Sequence, residues 1–329
     1  MQLLPRLRRR IVKYRSFGKL DVEVSVIGMG AAAISGEGGG YGFGHISDDD
    51  SIALVHAAQD NGINLFDTAP IYGFGASERR LGAALQGERR EKAFIVSKSG
   101  ITWDDQKNVR LDNSPESTRA MLEQSLKDLN TDYIDLYLVH WPDPENDIRR
   151  TVEVLVEAKQ SGKIKAFGLS NTNADEIALA TEVAEPEVLQ AQMNLFENDP
   201  VDSVFNNVRE KSMGFMSWGT LDKGILTGRV HKERKFDDVD VRSHAPWWTS
   251  VDHTPRYKAM ETITPLLEEA GHNGLELALS HVLKFQETST ALCGMRNLNQ
   301  LQSACAAAEN LVTESLLEQV RSIAQEAAN

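Results

Sequence analysis

The sequence predicts an α/β protein built as a closed (β/α)8 TIM barrel with long substrate loops. Short β-branched runs alternate with longer segments of helical period, which predicts a parallel sheet with helices packed on it. The alternation occurs eight times along 329 residues, and eight such units fit a closed barrel better than an open sheet. The runs are almost continuously apolar, as strands buried on both faces must be.

In chain order the eight runs are VSVIGMG (24–30), INLFDTA (63–69), AFIVSKSG (93–100), YIDLYLVHW (133–141), IKAFGLSN (164–171), VLQAQMNL (188–195), GFMSWGT (214–220) and STALCGM (289–295). Between them lie helix-like segments such as SIALVHAAQDN, SERRLGAALQ, SPESTRAMLEQSLKDLN, RRTVEVLVEAKQSG and LELALSHVLKFQ. In NSPEST, Ser114 is the expected cap, Pro115 takes the first helical position and an acid follows in the first turn. Gly162 in KQSGKIK reads as a helix-ending glycine. Two irregular stretches interrupt the pattern, residues 35–50 after the first run and 230–255 after the seventh. Loops this long inside a compact domain usually bind something, and both follow strand C-termini, the active face of such a barrel. No run of Gly, Ser and Pro separates two domains, so residues 14–329 read as one barrel domain. Residues 1–13, MQLLPRLRRRIVK, read as a disordered basic extension or a misassigned start.

Hydrophobic residues make up 41% of the chain and charged residues 25%, ordinary for a soluble protein able to bury a large core. No apolar run approaches the ~20 residues of a membrane span. The formal net charge of −13 argues against a partner gripped through nucleic-acid phosphates, yet leaves room for one phosphate-bearing ligand in a local basic pocket. Cys293 and Cys305 sit in apolar contexts and provide no framework of bridges, which suits a reducing cytoplasm. The expected protein is cytoplasmic, a monomer or homo-oligomer, and needs no membrane.

In a barrel, residues at strand C-termini point into one mouth. Asp67 ends the second run, Lys98 the third and His140 the fourth, while Tyr72 lies on the loop after the second. A charged lysine and aspartate at the ends of buried strands are costly unless paired. A phenol is a poor acid at neutral pH, with a pKa of about 10. A nearby ammonium stabilises the phenolate and lowers that value. A carboxylate buried against the lysine keeps it charged and in place, and a histidine beside the phenol can bond the same substrate oxygen. The product is a tuned proton donor beside an oxygen that gains negative charge, as a carbonyl does under hydride attack.

From about Tyr14 to the last helix the chain resembles the aldo-keto reductases. FDTAPIYG followed by SERRLG is similar to the family's second-strand signature, VSKSG to its lysine strand and LVHWPDP to its histidine strand. The resemblance implies a barrel with an N-terminal β-hairpin and an NADP(H)-dependent oxidoreductase that reduces an aldehyde or ketone, or oxidises an alcohol. It places the catalytic tetrad on Asp67, Tyr72, Lys98 and His140. Ser170, Asn171 and Gln192 would hold the nicotinamide carboxamide, with Trp218 stacked on its ring, and Gly30 and Ala31 would line the cleft. Gly219, Thr220 and Leu221 replace the common Ser-Pro-Leu, so pyrophosphate contacts would rest on backbone N–H groups and Lys223. In CGMRNLNQL, Gly294 admits the backbone, Arg296 would meet the 2′-phosphate and Gln300 would face the adenosine. Ser303 and Ala304 stand where a Glu-Asn pair is common, which weakens the expected adenine contact. NADP(H) is the preferred cofactor, with NAD(H) admissible. Tyr41, Phe43, Trp141, Trp247 and Trp248 suggest an aromatic substrate pocket.

Rival readings are weaker. GMGAAA (28–33) matches a dinucleotide fingerprint, but a Gly-rich loop follows it instead of a helix. No tyrosine has a lysine four residues on, as short-chain dehydrogenases require. His231, His244 and His253 share a loop without a paired metal motif, so no metal is expected. The alternative of a different class is a cofactor-sensing regulatory or structural subunit on the same barrel with little turnover, which an intact tetrad argues against.

Overall fold

The computed structural model of the chain describes residues 12–36 and 42–328. An antiparallel hairpin, β1 (Tyr14–Phe17) and β2 (Leu20–Ser25), comes first. Eight parallel strands then close into a barrel in chain order: β3 (Ile27–Gly30), β4 (Leu65–Asp67), β5 (Phe94–Ser99), β8 (Ile134–Val139), β9 (Ile164–Ser170), β10 (Val188–Gln192), β11 (Gly214–Trp218) and β12 (Thr288–Cys293). A second hairpin, β6 (Ile101–Trp103) and β7 (Val109–Leu111), leaves the barrel after β5.

Helices cover the outside. They are α1 (Asp48–Asp60) after β3, α2 (Ala76–Ala84) and the single-turn α3 (Glu88–Glu91) after β4, α4 (Pro115–Asp128) after β7, α5 (Ile148–Gln160) after β8, α6 (Ala174–Val183) after β9, and the short α7 (Asp199–Ser203) and α8 (Phe205–Glu210) after β10. The long connection from β11 carries α9 (Pro246–Thr249), α10 (Thr254–Glu269) and α11 (Gly274–Leu283), and β12 is followed by α12 (Leu298–Ala307) and α13 (Glu314–Ala328). Among the described residues, no helix is long and apolar enough to cross a membrane.

The eight apolar runs are the eight barrel strands, with one division: residues 24–25 of the first run end β2, and β3 begins at Ile27. The expected caps also form. Ser114 Oγ accepts from Ser117 N at 3.3 Å, and Gly162 follows α5 at φ +78°. The β6–β7 hairpin was not expected, because its strands are three residues long and enclose the polar turn DDQKN. Such a segment reads as loop until a partner strand is known.

Period-two alternation divides the strand side chains between two cores. Leu65, Val96, Leu136, Leu138, Ala166, Val188, Met216 and Leu292 fill the barrel interior. Phe17 and Val24 of the first hairpin complete that cluster, with the Phe17 ring edge-on to Phe94 at the start of β5. Arg15 fixes the hairpin by donating to the carbonyls of Leu283, Phe285 and Thr288 at 2.6, 3.1 and 2.6 Å. The N-terminal end of the barrel is therefore plugged, and the C-terminal end holds the open mouth. Outward-facing residues pack with the helices in a second core that includes Val55, Leu85, Leu129, Leu155 and Ile177. Each such burial contributes about 1.5–3 kcal/mol.

The two long loops meet. Val241 N donates to Gly42 O at 2.9 Å, and Phe43 bridges Asp240. Tyr41 and residues 1–11 of the basic extension lie outside the described residues. Val12 is buried against the outer core. Cys293 and Cys305 are both buried thiols, and burial pushes the Cys293 thiol up to about 12.

One buried imidazole makes the fold sensitive to acid. His281 of α11 lies 3.1 Å from Asn198 Oδ1, and Arg321 Nε lies 3.4 Å from its other ring nitrogen. Burial, and then the Arg321 charge, draw its pKa down to about 3, against about 6.5 in an unfolded chain. Its contribution to stability is complete above about pH 6.5 and is lost as the pH falls, because the unfolded chain then binds the extra proton. Between pH 7 and pH 5 this one residue should cost about 2 kcal/mol. His281→Asn should show a correspondingly shallower drop in urea unfolding free energy over that range; an unchanged drop would count against the assignment.

Candidate active site

The strand ends bring Asp67 and Lys98 together inside the mouth. Lys98 Nζ donates to both carboxylate oxygens of Asp67 and to Thr68 O, each at 2.8 Å. Those bonds use all three ammonium protons. Lys98 is fully buried and Asp67 nearly so. Gln190 Nε2 donates to Asp67 Oδ2 at 2.7 Å, adding a fourth member. Burial draws the Lys98 pKa below the ordinary lysine value, opposed first by Asp67 and then by Glu78.

Tyr72 lies in the turn that leaves β4, with its N–H on Ala69 O at 3.1 Å and its carbonyl accepting from Ser77 N at 3.2 Å. The next residue, Gly73, has φ +65°, and a Cβ there would lie 2.4 Å from Ser35 O, so the turn requires glycine. The turn sets the Tyr72 ring 5.2 Å from Lys98 Nζ and edge-on to the His140 ring, centroids 5.8 Å apart. His140 follows β8 directly. Burial first, and then the Lys98 charge, hold its pKa well below the usual imidazole range. At neutral pH its ring is uncharged, with one donor and one acceptor nitrogen. All four residues predicted from the sequence thus share one site. The arrangement can pass a phenolic proton to a bound oxygen, with an ammonium behind the phenol and a neutral N–H beside it.

Next to this group stands a polar shelf. Asn171 takes the left-handed conformation at φ +57°, which is uncommon outside glycine. It donates from Nδ2 to His140 O at 2.9 Å and to Ser170 Oγ at 3.0 Å, and accepts from Trp218 Nε1 at 2.9 Å. Asn171 therefore ties the ends of β8, β9 and β11 together. Gln192 ends β10 beside Gly219, where a Cβ would lie 3.3 Å from its Cγ. Gly30 pairs with Asp67 at the end of β3, and the fully buried Ala31 lends its carbonyl to Ser77.

Beyond the shelf the loop after β11 turns sharply. Gly219, Asp222, Lys223 and Gly224 all have positive φ. Asp222 is fully buried and paired with Arg256 Nη1 at 2.9 Å, which holds the turn against α10. Lys223 Nζ lies 5.9 Å from the Trp218 ring. The Thr220 hydroxyl turns into the wall, 3.1 Å from Ser217 Oγ, and Leu221 packs on the core, so the outward polar groups of this loop are backbone and Lys223. Farther along the rim, Gly294 is exposed beside Ala33, and Gln300 Oε1 accepts from Arg296 N at 2.8 Å. Arg296 Nη2 donates to His45 O at 2.7 Å, while its buried Nε has no partner among the described residues. Gly219, Gly224 and Gly294, with Lys223 and Arg296, thus lie along this side of the rim.

The aromatics expected around the substrate are not gathered at one place. Trp248 is buried in the cluster formed by α10, α13 and the long loop, stacked on His253 with centroids 4.0 Å apart, and Trp247 packs on the same cluster. Trp248 anchors the loop, because a side chain this large is better buried than displayed, while Trp247 is half-buried. Phe43 sits under Arg242, 5.3 Å from its guanidinium, at the junction of the two loops. Trp141 does stand at the mouth, 41% exposed and edge-on to Trp218 at 6.3 Å. With Ile101, Val109 and Leu111 of the unexpected hairpin it lines a depression of about 220 Å³. A larger groove of about 420 Å³, beside Pro142, Asp147 and Leu179, lies outside the barrel wall. Gln190 was missed in the sequence, although a second glutamine two residues before Gln192 in an otherwise apolar strand marks one polar inner face.

The fold is shared with known proteins. Residues 26–325 match the profile of the Aldo/keto reductase family. The chain is 34% identical over 298 residues to the aldo-keto reductase YhdN of Bacillus subtilis, covering 89% of this chain and 87% of that protein. It is 30% identical over 303 residues to the NADH-specific methylglyoxal reductase of Escherichia coli, covering 88% and 91%. Among solved structures, the glycerol dehydrogenase of Gluconobacter oxydans superposes with a TM-score of 0.80 at 31% identity, covering 96% of this chain and 95% of that one. An aldo-keto reductase of Bacillus halodurans shares the fold at 23% identity, with a TM-score of 0.78 and 97% of each chain covered.

The buried pair makes a prediction that is independent of any reaction. Lys98→Met leaves the Asp67 carboxylate buried without its cation and should cost about 3–5 kcal/mol in urea unfolding. Adding Asp67→Asn to that variant should recover much of the loss. Strict additivity of the two substitutions would mean that the residues do not act as a pair.

Proposed function

The chain belongs to the aldo/keto reductase family, oxidoreductases that act on carbonyls and alcohols with nicotinamide cofactors, and on that premise we propose that it is an NADP(H)-dependent carbonyl reductase with Tyr72 as its proton donor. The observation that carries the proposal is the Lys98 ammonium, bonded to both oxygens of Asp67 at 2.8 Å and 5.2 Å from the Tyr72 ring. A reduced nicotinamide, when bound, supplies a hydride to the carbonyl carbon. As the carbonyl oxygen gains charge, Tyr72 passes its phenolic proton to it. Lys98 stabilises the phenolate left behind, and Asp67 keeps Lys98 charged and aimed. His140, uncharged because it is buried beside Lys98, donates an N–H to the same oxygen. In alcohol oxidation the phenolate takes the proton back.

Ser170, Asn171 and Gln192 would hold the carboxamide, Trp218 the nicotinamide ring, the backbone of Gly219–Leu221 with Lys223 the pyrophosphate, and Gly294, Arg296 and Gln300 the adenosine end. Arg296 supports a preference for NADP(H). An acid near the ribose would favour a free 2′-hydroxyl, and the fold does bring Asp240 close enough to act on Arg296. Asp240 is already engaged, however: Arg242 Nε and Nη2 bond its two oxygens at 2.9 and 2.7 Å. The buried thiols suit a cytoplasmic enzyme.

Tyr72→Phe should lower kcat by about 10²–10⁴-fold and leave cofactor affinity nearly intact; near-wild-type reduction would sink the proton-donor role. Arg296→Ala should raise the Kd for NADPH at least about tenfold, given ~1.5–3 kcal/mol for each charged hydrogen bond, and leave NADH almost unchanged. Titration of both cofactors by Trp218 fluorescence reads the difference. Equal weakening would place the 2′-phosphate elsewhere.

A further inference from the structure

The first turn of α2 touches both strands that carry the buried pair. Ser77 and Glu78 are consecutive and fully buried. Thr68 Oγ1 donates to Ser77 Oγ at 2.8 Å, and Ser77 Oγ donates to Ala31 O at 2.9 Å. Thr68 follows Asp67, and its carbonyl accepts a proton of Lys98. On the neighbouring strand, Ser97 Oγ donates to Glu78 Oε1 at 2.6 Å, and Ser97 precedes Lys98. Ser77 N in turn bonds the Tyr72 carbonyl. Two adjacent side chains and one N–H of a single helical turn thus grip the neighbours of Asp67 and Lys98, and Tyr72 itself.

Glu78 is a costly way to achieve this. A carboxyl buried between a helix and a sheet is unfavourable unless fully bonded, and Glu78 Oε2 has no hydrogen-bond partner among the described residues. The groups facing the carboxyl are Ser97 and Lys98 from β5, Ser125 and Asp128 from α4, and Tyr137 from β8, with Arg79 within 3.5 Å of Asp128. Of the cations, Lys98 is the one whose charge interacts with Glu78. If packing alone mattered, a leucine would serve the helix–sheet contact better.

We propose that Glu78 is a positioning residue for the reaction: it holds β5 through Ser97 and places a second negative charge behind the Lys98 ammonium, on the opposite side of the barrel wall from Asp67. This rests on the reading that Lys98 acts on Tyr72. Burial pushes the Glu78 carboxyl up to about 7, so it is ionised in the alkaline range where a phenolic donor begins to fail. Removing that charge lowers the proton affinity of every nearby group, Lys98 and Tyr72 included.

Glu78→Gln keeps the shape and the acceptor for Ser97 but removes the charge. Reduction of 4-nitrobenzaldehyde should be followed from pH 6 to 10 at saturating cofactor. The basic limb of kcat should move toward acid by about half a pH unit or more, kcat should fall several-fold, and KM should stay within about twofold. Glu78→Asp, which restores the charge, should move the limb back. A lower rate with the limb in its wild-type place would make Glu78 merely structural and overturn the proposal. If Glu78→Gln does not fold, Ser97→Ala is the smaller change and should lower kcat several-fold at unchanged KM; wild-type kcat there would also overturn it. Tyr72→Phe measured alongside separates the two levels. If it is inactive while Glu78→Gln keeps its limb, the Glu78 role alone fails; if it turns over normally, the tetrad reading fails and carries the Glu78 role with it.

Discussion

An ammonium sealed from water at the end of a barrel strand needs an acceptor for each of its protons and a negative charge to offset its desolvation. Lys98 finds both in Asp67 and in the carbonyl of Thr68. Much of the mouth follows from meeting that need. Asp67 must end β4 where Lys98 passes on β5, Gln190 must reach across from β10, and the chain must leave β4 in a turn that needs Gly73. The same turn delivers Tyr72 to within 5.2 Å of the ammonium. The positive charge in turn helps keep His140 neutral. Burial and distance thereby link the charge of Lys98 to the neutrality of His140.

Around that centre the barrel separates two tasks. The inner wall and the plugged N-terminal end provide rigidity, while the rim carries the groups suited to a ligand. The ion pairs Asp240–Arg242 and Asp222–Arg256 shape the rim by pairing its buried acids. Arg256 pins the turn that holds Lys223, and Arg242 lies over Phe43 where the two long loops join. Arg296 Nε is buried and has no hydrogen-bond partner among the described residues.

The strands were legible in the sequence because burial on both faces writes them as unbroken apolar runs, Asp67 and Lys98 because charges are rare at the ends of such runs, and Tyr72 and His140 through the motifs around them. What escaped was set by partners distant in sequence. Gln190 looks like an ordinary polar residue until β10 stands opposite Asp67, and Glu78 like a surface helix position until α2 packs over Ser97. Trp248 reads as a pocket residue because a long loop precedes it, yet α10 and α13 return to bury it. The β6–β7 strands are too short and polar to show any period. The acid near Arg296 could not be found either, because Asp240 lies 56 residues away along the chain.

The chemistry of the mouth depends on Lys98 being a charged ammonium at neutral pH although wholly buried, with Asp67 keeping it so. Selective ¹⁵N labelling of lysine allows the Nζ resonance of Lys98, assigned by its loss in Lys98→Met, to be followed from pH 5 to 9 in the wild-type chain and in Asp67→Asn. The wild-type resonance should keep the chemical shift of an ammonium through neutrality, and in Asp67→Asn it should turn toward that of a neutral amine at lower pH. A wild-type Lys98 that is already a neutral amine at pH 7, or one whose titration is indifferent to Asp67→Asn, would contradict the account.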